Sequence, residues 1–122
     1  MYFEKINKRK DYLLLKKKGH SVISDCFILQ YVLHNYSSNP IKSNENIKLR
    51  VGITVSKKIG NAVKRNLVKR RIKASLLKVS QNKFLKYADL IIIGKKKVLS
   101  KDFTGLCSDL ESAFNKIKLL QS

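Results

Sequence analysis

Ser56-Lys57-Lys58-Ile59-Gly60-Asn61-Ala62-Val63-Lys64-Arg65-Asn66-Leu67-Val68-Lys69-Arg70-Arg71-Ile72-Lys73 is the stretch on which the fold turns. It starts where a strand pattern ends, bends at Gly60 and continues as a helix expected over 61–79, with Asn61 as N-cap. From Lys57 to Lys78 there are nine Lys/Arg and no acid. A run of like charge ordinarily stays solvated. This one also carries apolar residues at helical spacing: Val68, Ile72, Leu76 and Val79 fall within one quarter of a helical wheel, so that edge docks on a core. Asn66, Lys69, Arg70 and Lys73 fall on a separate sector. A helix held along one edge and basic elsewhere suits a phosphate backbone.

Upstream, Lys48 to Val55 alternates. Leu49, Val51, Ile53 and Val55 point one way, and Lys48, Arg50, Gly52 and Thr54 the other. The second face is basic and small, which fits a solvated surface or an RNA-facing one. Ser21 to His34 is strand material, with Phe27, Leu29, Tyr31 and Leu33 on one face and Ile28, Gln30 and Val32 on the other. Residues 35–46 hold the only proline and read as a long hairpin connection. Before these strands a helix runs from an Asn7 N-cap through Tyr12, Leu13 and Leu15 to Lys16-Lys17-Lys18, and Gly19 stops it. Residues 1–6 read as a flexible arm.

Downstream, 81–87 is a polar connection and Asp89-Leu90-Ile91-Ile92-Ile93-Gly94 an apolar strand interior to the sheet. The last helix is expected over 102–120, capped by Asp102, with Phe103, Leu106, Cys107, Leu110, Phe114 and Ile117 as its buried stripe. This order predicts one α+β domain over 1–122: a two-layer α-β sandwich of three helices and a small mixed sheet of about four strands.

Hydrophobic residues make up 43% of the chain, too many for a disordered basic tail. The net charge of +19 calls for a polyanionic partner, which would relieve self-repulsion. Between Glu45 and Asp89 there are thirteen Lys/Arg and no Asp or Glu. Lys outnumbers Arg 22 to 5, and lysine grips phosphate as a point charge without the planar fork that reads base edges. Codon bias in an AT-rich genome produces the same excess. Cys26 and Cys107 are too few and too distant for a disulfide framework or zinc site. With no apolar signal core and no run of membrane-spanning length, the chain reads as cytoplasmic, without a membrane partner.

No catalytic set is visible. His20 and His34 have no carboxylate at a suggestive spacing, and Asp109 and Glu111, two apart on a helix, do not face each other. Gly52 to Lys57 lacks the second glycine and the Lys-Ser/Thr pair of a phosphate loop. The Asn66 amide either bonds a phosphate, a 2′-hydroxyl or a metal-bound water, or it satisfies a neighbouring backbone group; spacing does not choose. No metal or other cofactor is assigned to the protein itself.

The run from Arg50 to Lys73 resembles the signature of the bacterial ribonuclease P protein component. The residues that carry it are Arg50-Val51-Gly52, Val55-Ser56-Lys57-Lys58-Ile59-Gly60-Asn61-Ala62-Val63, Arg65-Asn66 and Lys69-Arg70. Asp11-Tyr12 ahead of Gly19, Phe27-Ile28-Leu29 and Asp89 to Ile93 extend the match over nearly the whole length. The family usually has arginine where this chain has Leu67 and Lys73, so two bidentate forks are absent.

The resemblance implies a sandwich of the ribosomal protein S5 domain 2 type, its basic helix in a left-handed crossover between parallel strands, against the usual handedness. It implies the protein subunit of a ribonucleoprotein endonuclease that removes the 5′ leader of precursor tRNA, the chemistry residing in the RNA subunit and its Mg2+ ions. The implied partners are that catalytic RNA and precursor tRNA, with no obligate protein partner. Carried over by position, Lys57, Lys58, Asn61, Arg65, Asn66, Lys69, Arg70 and Lys73 contact RNA. A leader cleft between the first helix and the sheet takes in Tyr12, Lys16, Gln30 and Arg50, with Tyr12 stacking on a base. Lys16 and Gln30 stand where the family often has aromatics, so charge and hydrogen bonds replace stacking there.

Other readings are a ribosomal or assembly RNA-binding module, a DNA-binding protein and a self-sufficient nuclease. The second is disfavoured by the scarcity of base-reading side chains on the basic face. The third is disfavoured by the lack of an acid cluster.

Overall fold

The computed structural model describes residues 3–6, 8–34, 49–80 and 87–117. Within them the elements run β1 (Phe3–Lys5), α1 (Arg9–Lys18), β2 (His20–Ile23), β3 (Phe27–His34), β4 (Leu49–Val55), α2 (Ala62–Val79), β5 (Tyr87–Gly94) and α3 (Phe103–Lys116). Short 3-10 turns at Lys57–Ile59 and Lys96–Leu99 precede α2 and α3.

The strands form one mixed sheet in the order β1-β4-β5-β3-β2. β4 pairs in parallel with β1 and β5, while β3 is antiparallel to β5 and β2. β5 takes the centre because Leu90, Ile91 and Ile92 are all buried although they alternate between faces, so this strand needs cover on both sides. That placement overturns the hairpin expected between β3 and β4. These two are consecutive along the chain, but β5 lies between them, with Ile91 opposite Gly52 on one side and Gln30 on the other. Residues 35–48, which connect them, lie outside the described residues.

Residues 3–6 are likewise no free arm. Phe3–Lys5 adds a fifth strand beside β4, in register with Leu49–Val51. Ile6 is buried and donates its N–H to the Val51 carbonyl at 2.8 Å. Without β1 the β4 backbone would be an unpaired edge.

The two faces of the sheet have separate cores. On one, Phe27, Leu29, Leu49, Val51, Leu90 and Ile92 meet α2 through Val68, Ile72, Leu76 and Val79, and meet α3 through Leu106, Leu110 and Phe114. This is the expected sandwich. On the other face the short α1 adds partial cover, its Leu15 packed with Ile6 and Ile91 and flanked by Tyr12, Val32 and Ile93.

Details at helix ends differ from the sequence reading. The N-cap of α1 is Lys8, with no side-chain cap, and the expected cap Asn7 lies outside the described residues. Gly19 does end the helix, but in extended backbone. Its lack of a Cβ matters because one would collide with the Leu15 carbonyl oxygen. Asp102 caps α3 by accepting from the Gly105 N–H at 2.8 Å. Phe103 falls at the stripe's angle yet is 49% exposed, because the first residue of a helix lacks a preceding turn to help cover it.

Candidate nucleic-acid interface

The basic surface is assembled by two local turns. Ser56 accepts a hydrogen bond from the Lys58 N–H, which starts the 3-10 turn; Ile59 is buried, and Lys57 and Lys58 face outward. Gly60 then adopts φ +145° and ψ −152°, a region open essentially to glycine alone. Asn61 caps α2 by accepting from the Lys64 N–H at 3.0 Å.

With the turn and cap in place, Val68, Ile72, Leu76 and Val79 are fully or almost fully buried, while Asn66, Lys69, Arg70 and Lys73 are exposed. Arg65 is half-buried and donates to the Gly60 carbonyl at 2.7 Å, so it also braces the turn. The Asn66 side chain has no hydrogen-bond partner among the described residues, which leaves its amide free for a ligand. Asn61 spends its side-chain oxygen on the cap and keeps its amide N–H groups available.

The first turn of α2 has no acid and carries Lys64 and Arg65, with Lys57 and Lys58 just ahead of it. Cations at a helix N-terminus oppose the macrodipole and cost local stability. The same arrangement concentrates positive potential and free N–H groups at one point, which suits an anion.

Arg71 behaves differently from its neighbours. Its guanidinium donates to the carbonyls of Val98 and Leu99 at 3.2 and 3.1 Å, tying the second 3-10 turn to α2. Sequence reading counted Arg71 within the charge run without a role. Its place beside the buried Ile72, at the margin of the apolar edge, was the available signal.

The second candidate surface lies across the sheet from α2. The register aligns Gly52, Ile91, Gln30 and Ser21 in one row on the face that α1 crosses. Tyr12 lies over Gly52, where a Cβ would collide with the phenol oxygen, and its hydroxyl donates to the Ile6 carbonyl at 3.1 Å. Gln30 sits two strands from Gly52, about 10 Å away at the usual strand spacing. Lys16 is exposed on α1. Toward the β2 edge the face stays open, with Ile23 at 70% exposure.

Arg50 belongs to this face but is engaged. One guanidinium nitrogen lies 2.8 Å from Asp11 and the other 3.4 Å from Asp89. The register pairs Arg50 directly with Asp89 across adjacent strands. Burial pushes the Tyr12 hydroxyl pKa upward, so it remains a donor at neutral pH.

His20 is exposed, its ring 5.7 Å from Tyr31, and among the described residues no three His, Cys, Asp or Glu side chains converge to hold a metal. No helix among them is long and apolar enough to cross a membrane.

Comparison with known proteins agrees with this geometry. The family model described as Ribonuclease P matches residues 2–118. The ribonuclease P protein component of Bacillus velezensis is 36% identical over 115 residues, covering 94% of this chain and 90% of that protein. Its counterpart from Gluconacetobacter diazotrophicus is 32% identical over 112 residues, covering 92% and 89%. Among solved structures, the Staphylococcus aureus RNase P protein superposes with a TM-score of 0.71 at 31% identity, covering 99% of both chains. The Thermotoga maritima RNase P protein gives 0.70 at 25% identity, covering 93% of this chain and 96% of that one. A +19 chain whose basic helix is seated on a mixed sheet, matched over most of its length by these proteins, belongs to the ribonuclease P protein component family, which works with an RNA subunit in maturing the 5′ end of tRNA.

Proposed function

We propose that this chain contributes binding and no bond-breaking groups to ribonuclease P. The exposed sector of α2 and the Lys57–Lys58 turn dock on the catalytic RNA, while the face under α1 receives the 5′ leader of precursor tRNA. Hydrolysis is left to the RNA subunit and its Mg2+ ions. The observation that carries this reading is the division of α2 into a buried apolar edge and an exposed basic sector. A helix held rigidly in this way presents phosphate ligands at fixed spacing without folding on the RNA. The two candidate surfaces lie on opposite faces of the sheet, so one small domain can touch two RNAs at once. The setting is cytoplasmic.

Cleavage of a precursor tRNA by a bacterial ribonuclease P RNA at low Mg2+, with and without this protein, tests the proposal. Rescue by the protein, with no cleavage by the protein alone, is expected. Binding without rescue would favour an RNA-binding module of another kind. Lys57, Lys58, Arg65, Lys69, Arg70 and Lys73 supply six cations; with that many phosphate contacts, affinity for the RNA falls by about 10³-fold between 50 and 200 mM salt. A flat salt profile would contradict phosphate neutralisation.

A further inference from the structure

Arg50 is half-shielded, with a side-chain exposure of 23%, and its two carboxylate partners are 21% and 18% exposed. Two of the three residues are fixed by the sheet, because Arg50 and Asp89 are register partners on β4 and β5. The third, Asp11, rides on α1. The ion pair at 2.8 Å therefore joins a separate helix to the sheet floor. The next residue, Tyr12, is fastened to the Ile6 carbonyl and lies on Gly52, and one turn further Leu15 is buried against Ile6 and Ile91. Beyond Leu15, Lys16 to Lys18 are exposed. Among the described residues, Asp11, Tyr12 and Leu15 thus fasten α1 to the sheet.

We infer that Arg50 is a positioning residue: its guanidinium, shared between Asp11 and Asp89, sets α1 over the sheet and so fixes the width of the leader cleft and the pose of Tyr12. This rests on the leader-binding reading above and deepens it. The competing role, direct capture of a leader phosphate, fits the geometry less well. The guanidinium is already shared between two carboxylates. A phosphate would have to displace a carboxylate from a pair already shielded from water, against the repulsion of the other. The planar fork also suits arginine here in a chain that elsewhere favours lysine, since it meets the two carboxylates from fixed directions where a lysine ammonium would be a rotatable point charge.

The two roles predict opposite responses to one change. Asp11→Asn removes a negative charge, so a phosphate-binding Arg50 would hold the leader as well or better. A strut loses its anchor, and leader binding weakens. In the reconstituted holoenzyme, the affinity for a precursor tRNA with leader is divided by that for the same tRNA without it. Asp11→Asn, Arg50→Gln and Arg50→Lys are each expected to lower this ratio by about tenfold, the worth of one charge-assisted hydrogen bond. Affinity for the catalytic RNA should stay at the wild-type value.

An unchanged or raised ratio in Asp11→Asn, or full retention in Arg50→Lys, would overturn the inference. So would parallel loss of catalytic-RNA affinity, which would make Arg50 a general folding residue. Hydrogen exchange of the α1 amides, measured on the free protein, should accelerate in Asp11→Asn while α2 stays protected. That measurement needs no substrate. If the wild-type holoenzyme shows no leader dependence, the cleft reading fails, and the exchange data still decide whether the strut exists.

Discussion

Gly94→Ala probes how α2 is seated. Gly94 ends β5 beneath the helix, and a Cβ there would lie 2.7 Å from Val68 Cγ1 and 2.8 Å from Ile72 Cδ1, with Val55 Cγ2 at 3.6 Å. Carbon atoms pack at about 3.5–4.0 Å, so both helix side chains must retreat by roughly 1 Å. Neither has room, since Val68 and Ile72 are both fully buried. Overpacking of this kind costs about 1–3 kcal/mol. At roughly 4 °C per kcal/mol for a domain of this size, the melting temperature should fall by about 4–12 °C. Thermal denaturation followed by circular dichroism reads it.

The origin of the loss is tested by a second substitution. Ile72→Val deletes the Cδ1 methyl that the new Cβ would strike, and alone costs about 0.5–1.5 kcal/mol. The double variant should be more stable than the sum of the single changes predicts, because the deleted methyl relieves the clash. Strict additivity, or an unchanged melting temperature in Gly94→Ala, would refute the seating described above.

Two further outcomes follow from particular contacts. Arg70→Ala and Arg71→Ala, one residue apart, should diverge: the first should shift stability by no more than about 0.5 kcal/mol and reduce the salt slope of RNA binding by about one. The second, which loses two bonds to the Val98 and Leu99 carbonyls, should cost roughly 1–2 kcal/mol and leave the slope unchanged; denaturant titration and binding across a salt series separate them. The Cys26 thiol, with its pKa pushed up to about 11 by burial and by the Asp109 carboxylate that accepts its hydrogen bond at 3.3 Å, should resist alkylation in the folded protein at pH 8. Folding favours its protonated form, so its stabilising contribution is whole below the unfolded thiol's pKa of about 8.5 and is lost as pH rises toward 11, read as the difference from Cys26→Ala.

What was legible along the chain was everything set by short-range pattern. Residues 49–55, 62–79 and 103–116 declared themselves through periods of two and 3.6, and Asn61 and Asp102 through their place before a helical run. The exposure of Lys69, Arg70 and Lys73 followed from the burial of Val68, Ile72, Leu76 and Val79, since one helix cannot turn both sectors inward.

Tertiary structure alone decided the pairings across distance. Nothing local says that β5 enters between β3 and β4, or that Phe3–Lys5 closes the β4 edge, because backbone hydrogen bonding is indifferent to sequence separation. Arg50 shows the consequence most plainly. Along the sequence it is one more cation in a basic strand. Only when the sheet sets it beside Asp89, and α1 brings Asp11 across, does its charge become committed within the protein.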